Sequence, residues 1–111
     1  MGNLTNPGNY QLAVLGQFGS TFLDNNSTNV KPPTGKVFVA ITMLADCTFD
    51  TTDGLVSEDG TVWASTATSS IGSGTGGETV TVSYTFPKGV TIFGRYTEID
   101  LATGTCIAYI G

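Results

Sequence analysis

The stretch Val37 to Ala45, VFVAITMLA, is apolar on both parities of an extended chain. Val37, Val39, Ile41 and Met43 share one side of such a strand, and Phe38, Ala40 and Leu44 share the other. A strand apolar on both faces lies in the middle of a sheet, or has one face covered by another subunit. The rest of the chain must therefore supply strands to flank it and layers to cover it.

Several segments read as those strands. Thr79 to Phe86, TVTVSYTF, alternates cleanly, with Val80, Val82, Tyr84 and Phe86 on the buried side and Thr79, Thr81, Ser83 and Thr85 on the wet side. Tyr10 to Phe18 reads as a further strand, while Ser20 to Lys36, rich in Asn, Ser, Pro and Gly, reads as a long surface loop anchored by Phe22 and Leu23. Asp53-Gly54 and Asp59-Gly60 stand between short apolar runs and signal hairpin turns. The Gly/Ser/Thr stretch from Thr66 to Glu78 reads as a loop tip.

After a turn at Pro87-Lys88-Gly89, the chain reads as a closing hairpin. Val90 and Ile92 have one parity, and Ile99 and Leu101 the opposite one, so an extra residue near Gly94-Arg95 is needed to point all four at one core. A turn at Ala102-Thr103-Gly104 and a last strand, Cys106 to Ile110, complete the pattern. The expectation is an all-β, single-domain β-sandwich or small β-barrel of about six to eight antiparallel strands. Residues 1–9 would form an N-terminal arm and residues 10–111 the β domain.

Chemistry is constrained chiefly by what is missing. The chain has no histidine, which removes the commonest general base and metal ligand and with them the Ser-His-Asp and Cys-His arrangements. A zinc site would need Cys47, Cys106 and carboxylates, an unusual ligand set; the two cysteines could pair with each other, though the base rate against disulfides in reducing compartments favours thiols. Gly72 to Gly77, GSGTGG, lacks the Gly-Lys-Ser/Thr ending of a phosphate loop. Asp50 to Asp59 misses the ligand spacing of a calcium loop. Glu98 and Asp100, spaced i, i+2, read as two water-facing carboxylates rather than a glycosidase pair, and Trp63 and Tyr84 read as core rather than as sugar-stacking platforms. No catalytic residue, metal or cofactor is expected.

With a net charge of −5 and only four scattered basic residues, the chain lacks a stripe to neutralise phosphates, so nucleic acid is not an expected partner. No apolar run reaches membrane-spanning length, and the start MGNLTNPG has neither a basic region nor an apolar one, so no membrane association or export is expected either. Arg95 differs from the other basic residues in lying within a strand. It either pairs with a carboxylate such as Glu98 across the bulge or, with Tyr96, anchors a protein contact.

The ending FPKGVTIFGRYTEIDLATGTCIAYIG, with the opening MGNLTNPGNYQ, resembles small virion proteins of tailed bacteriophages of marine and cyanobacterial hosts. Gly89, Ile92, Phe93, Gly94, Arg95, Ile107, Ala108, Tyr109 and Gly111 carry the likeness, over about a third of the chain. The resemblance implies a capsid decoration or cement protein, homo-oligomeric with a trimer favoured, whose partner is the major capsid protein. It implies assembly in a bacterial cytoplasm and a final place on the virion surface. Leu4, Pro7 and Tyr10 in the arm, and Arg95 and Tyr96 in the closing stretch, are the candidate partner-binding residues. The other reading is a tail or fibre module that offers Trp63 or Tyr10 to a carbohydrate.

Overall fold

The computed structural model describes residues 18–65, 74–76, 80–81 and 84–111, with backbone alone at 63–65 and 81. It is an all-β, single-domain fold of two packed sheets. In chain order the strands are β1 (Ser20–Leu23), β2 (Phe38–Met43), β3 (Thr48–Phe49), β4 (Leu55–Ser57) and β5 (Val62–Ser65), then β6 (Val80–Thr81), β7 (Thr91–Ile99), β8 (Leu101–Thr103) and β9 (Cys106–Ile110). The larger sheet runs β1-β9-β2-β7-β4-β5-β6, and β3 pairs with β8 in a two-stranded ribbon. Every pairing is antiparallel except β5 with β6.

The doubly apolar segment is central, as its sequence demands, with β9 on one side of β2 and β7 on the other. The core between the sheets is built from Phe38, Ile41 and Met43 of β2, Leu55 of β4, Tyr96 and Ile99 of β7, and Cys106, Ala108 and Ile110 of β9. Phe49 and Leu101 close it from the ribbon, which Thr48 and Thr103 pin at its rim through a 2.8 Å hydroxyl contact. Phe38 therefore shares a face with Ile41 and Met43, not with Ala40 and Leu44 as simple alternation would have it. The cause is a bulge at Val39, where β2 carries one residue more than β9.

The extra residue expected at Gly94-Arg95 is present: Ala40 pairs with Phe93 and Phe38 with Tyr96, which leaves Gly94 and Arg95 opposite Val39 alone. A second irregularity lies at Thr97, since Val56 pairs with Glu98 and Ser57 with Tyr96. The core-facing parity changes there, because Ile92 and Tyr96 share one parity and Ile99 has the other. Across the same pleat, β9 spends two residues (Ala108 to Ile110), β2 three (Ile41 to Phe38) and β7 four (Ile92 to Tyr96). Each strand outward is longer on its path, which coils the sheet.

Four expectations are corrected. The closing hairpin is not one: β7 and β9 lie on opposite sides of β2, and the chain passes between them by leaving the large sheet after Ile99 to form β8. Ser20 to Leu23 is a strand on β9 rather than the start of a loop; Leu23 is buried opposite Cys106, and Phe22 anchors nothing, being 62% exposed. Asp53-Gly54 turns the chain from the ribbon into the large sheet instead of closing a hairpin, with Asp53 at φ 51° and no room for a side chain at Gly54 against Asp50 O and Phe49 Cβ. In Thr79 to Phe86 only Val80 and Thr81 are paired as a strand among the described residues, and Phe86 instead bridges Cys47. Asp59-Gly60 does form its hairpin, between β4 and β5, and Gly89 and Gly104 make the expected turns at φ 91° and 89°.

The expected strand from Tyr10 and the arm before it lie outside the described residues up to Phe18, as do Val82, Ser83 and most of the Gly/Ser/Thr stretch.

Candidate interaction surface

Because β1, β9, β2 and β7 are neighbours, register fixes what they present on the side away from the core. Leu23 and Cys106 point inward, so Phe22 and its partner Ile107 point outward, and Ile107 is level with Thr42 and Thr42 with Thr91. One pleat along, Ser20, Tyr109, Ala40 and Phe93 form a second level row. None of these eight side chains is charged. Phe22 and Phe93, at opposite corners, are 62% and 74% exposed, and Leu44 beyond the end of β2 is 42% exposed. A single exposed phenylalanine is unremarkable, but two at the corners of eight aligned uncharged positions, with the exposed Arg95–Glu58 pair beyond them, mark a surface suited to contact with another molecule. Thr42 and Thr91 satisfy each other across the face through a 2.8 Å hydroxyl hydrogen bond, which lowers the cost of drying it.

The candidate residues of the closing stretch have internal partners. The Arg95 guanidinium donates from Nε and Nη2 to the two carboxylate oxygens of Glu58, both at 2.8 Å, and the Glu58 amide donates to the Arg95 carbonyl at 2.8 Å. The carboxylate is thus Glu58, from the turn beside β4, not the neighbouring Glu98, whose nearest cation is Lys31 at 3.7 Å. The hydrogen bond from Arg95 holds the Glu58 carboxyl below its usual range. Tyr96 is buried, and its hydroxyl donates to the Phe93 carbonyl at 3.1 Å; burial pushes that phenol up. The ring lies over Gly94, filling the space where a Cβ would sit. Leu4, Pro7 and Tyr10 lie outside the described residues, as does the Trp63 side chain.

The remaining polar groups have structural tasks. Asp59 accepts from the Ser57 hydroxyl at 2.6 Å and from the Thr61 amide at 2.9 Å, which lowers its pKa to about 2 and closes the β4–β5 turn. Asp100, expected to face water, is 8% exposed, and burial, with Asp50 adding repulsion, raises its pKa. Glu98 and Asp100 therefore do not form an exposed pair. Cys47 and Cys106 are free and buried; the Cys47 thiol donates to the carbonyls of Ala45 and Thr105, and burial pushes Cys106 up to about 12, so neither is a ready nucleophile. Among the described residues no group of three or more acidic or cysteine side chains is placed to hold a metal ion.

No family model, curated protein or solved structure matches this chain. Its functional reading rests on its own residues. Tyr84, expected in the core, is 53% exposed and leans edge-on against Phe86 at 4.9 Å between ring centroids. A hollow of about 320 Å³ is lined by Leu55, Val80, Phe86, Ile92, Phe93 and Tyr96. Sequence reasoning missed Phe22 and Phe93 as surface residues. The signal was present in parity, since Phe22 is adjacent to a core-facing Leu23 and Phe93 to a core-facing Ile92.

Proposed function

We propose that the protein is a non-enzymatic structural protein of a phage virion, a decoration or cement unit that binds the major capsid protein and stabilises the shell. The observation that carries this reading is the outward face with Phe22 and Phe93 at its corners, a surface suited to apolar contact between neighbouring units of a surface lattice, with residues 2–10 left to reach the capsid. It is supported by the virion-like ending, whose Ile107, Tyr109 and Phe93 contribute to that face. We read the two sheets as a sandwich, because β1 and β6 end the larger one and no described pairing joins them into a barrel. Self-association on the capsid surface follows the same logic, since a domain of this size gains stability from neighbours.

Co-sedimentation of the purified chain with capsids lacking it tests the proposal. Saturable binding at micromolar concentration, weakened on deletion of residues 2–10, is expected. No binding at tens of micromolar would remove the capsid role. The alternative, a tail or fibre module that binds carbohydrate, draws on the exposed ring of Tyr84. Binding on a glycan array that is lost in Tyr84→Ala would favour it over the capsid.

A further inference from the structure

We propose that the outward face of β1, β9, β2 and β7 is a two-fold interface with a second copy of this chain, the two sheets packed face to face about an axis parallel to the strands. The inference rests on the reading of that face as a contact surface and names its occupant.

The argument comes from register. In the order β1, β9, β2, β7, one level row reads Phe22, Ile107, Thr42, Thr91, and the next reads Ser20, Tyr109, Ala40, Phe93. A two-fold axis that lies between two such faces and runs along the strands reverses the strand order and keeps the rows. It sets Phe22 against the second copy's Thr91, Ile107 against Thr42, Tyr109 against Ala40, and Phe93 against Ser20. Every large side chain then meets a small one, which is the condition for two sheets to close to about 10 Å with interdigitated side chains. The other in-plane axis, perpendicular to the strands, sets Ile107 on Tyr109 and Ala40 on Thr42, large on large beside small on small. The pattern selects one of the two arrangements, and an isologous contact of this kind needs no other partner.

Charge agrees with that choice. Copies of a chain with net charge −5 repel one another, and they do so least where neither presents a charged side chain, as on these eight positions.

Sedimentation velocity and light scattering of the full chain, without capsids, test the proposal from 1 to about 300 µM. A dimer is expected in the micromolar range. Phe93→Asp and Ser20→Lys, both at exposed positions, are each expected to weaken association at least tenfold with unchanged circular dichroism, and Thr34→Lys, in an exposed loop, to leave it unchanged. An equimolar mixture of the Asp and Lys variants should recover dimers, because the two substituted side chains face each other across the axis. A monomer throughout the range, a trimer, a dimer indifferent to both substitutions, or a mixture that stays monomeric would each overturn the proposal. Because capsids are absent, loss of the dimer and loss of capsid binding are read separately.

Discussion

A methyl group at position 94 has nowhere to go. An ideal Cβ on Gly94 would stand 2.6 Å from Cζ of Tyr96, on a ring that is itself held by the Phe93 carbonyl. Gly94→Ala is therefore expected to cost about 1–3 kcal/mol in urea denaturation, as overpacking does. In a Tyr96→Ala background the added cost should largely vanish, which a double-mutant cycle would show. Two carboxylates make opposite predictions with pH. Asp59 has its pKa lowered to about 2, so its contribution is present above the unfolded value near 4 and is lost as pH falls through about 2. Asp59→Asn should lower the thermal midpoint at pH 7 and make no difference once pH falls below about 2. Asp100 has its pKa raised by burial, with Asp50, Glu98 and Asp53 adding repulsion, so the fold favours its neutral form: that contribution is present below the unfolded value and lost as pH rises through the folded one. Asp100→Asn keeps an acceptor for the Asn29 amide and should raise the midpoint at pH 7, with the gain gone near pH 3. Parity signalled an irregularity within β7, but the switch itself falls at Thr97, beyond the bulge at Gly94-Arg95; the Asp100 environment was not legible, because an i, i+2 pair reads as one wet face only while the strand continues. Here it breaks between β7 and β8.

At the scale of elements, β2 and β9 were readable nearly to the residue, since an apolar run and a five-residue alternation each admit one placement. The pairing of strands was less legible. β7 and β9 are close in sequence and look like a hairpin, but β2, apolar on both faces, lies between them. That insertion is decided by burial far along the chain, which no local turn signal encodes. The same holds for β1: its Ser and Thr suggest loop, and only the inward Leu23 opposite Cys106 makes it a strand. The candidate face inherits this gap, because its rows exist only once four strands from distant parts of the sequence are aligned. The small ribbon is the cover of the core, with Leu101 2% exposed. Leu101→Ala is expected to cost about 2–5 kcal/mol through the cavity it leaves, measured by chemical denaturation. The same change should leave dimer formation intact in protein that remains folded, since β8 lies on the core side.

For the molecule as a whole, the buried thiols report on cooperative unfolding. Cys106 is fully buried with its pKa pushed up to about 12, and Cys47 is equally enclosed. Both are expected to resist a thiol reagent at pH 8 in the native protein and to react together as denaturant unfolds it; rapid modification of either thiol without denaturant would show that the two sheets open locally.

The place of β2 in the sheet also sets an order of events in the life of the polypeptide. Both of its neighbours are downstream: Thr42 meets Thr91, 49 residues later, and Met43 meets Cys106. A ribosome therefore releases the most water-averse segment well before anything exists to pair with it. That segment must wait, unpaired on both edges, until β7 and then β9 have been made. Productive folding is consequently a late, long-range closure, slow by the standards of helical domains of this length. Between emergence and closure, the nascent chain is most exposed to rival pairing with other copies of itself.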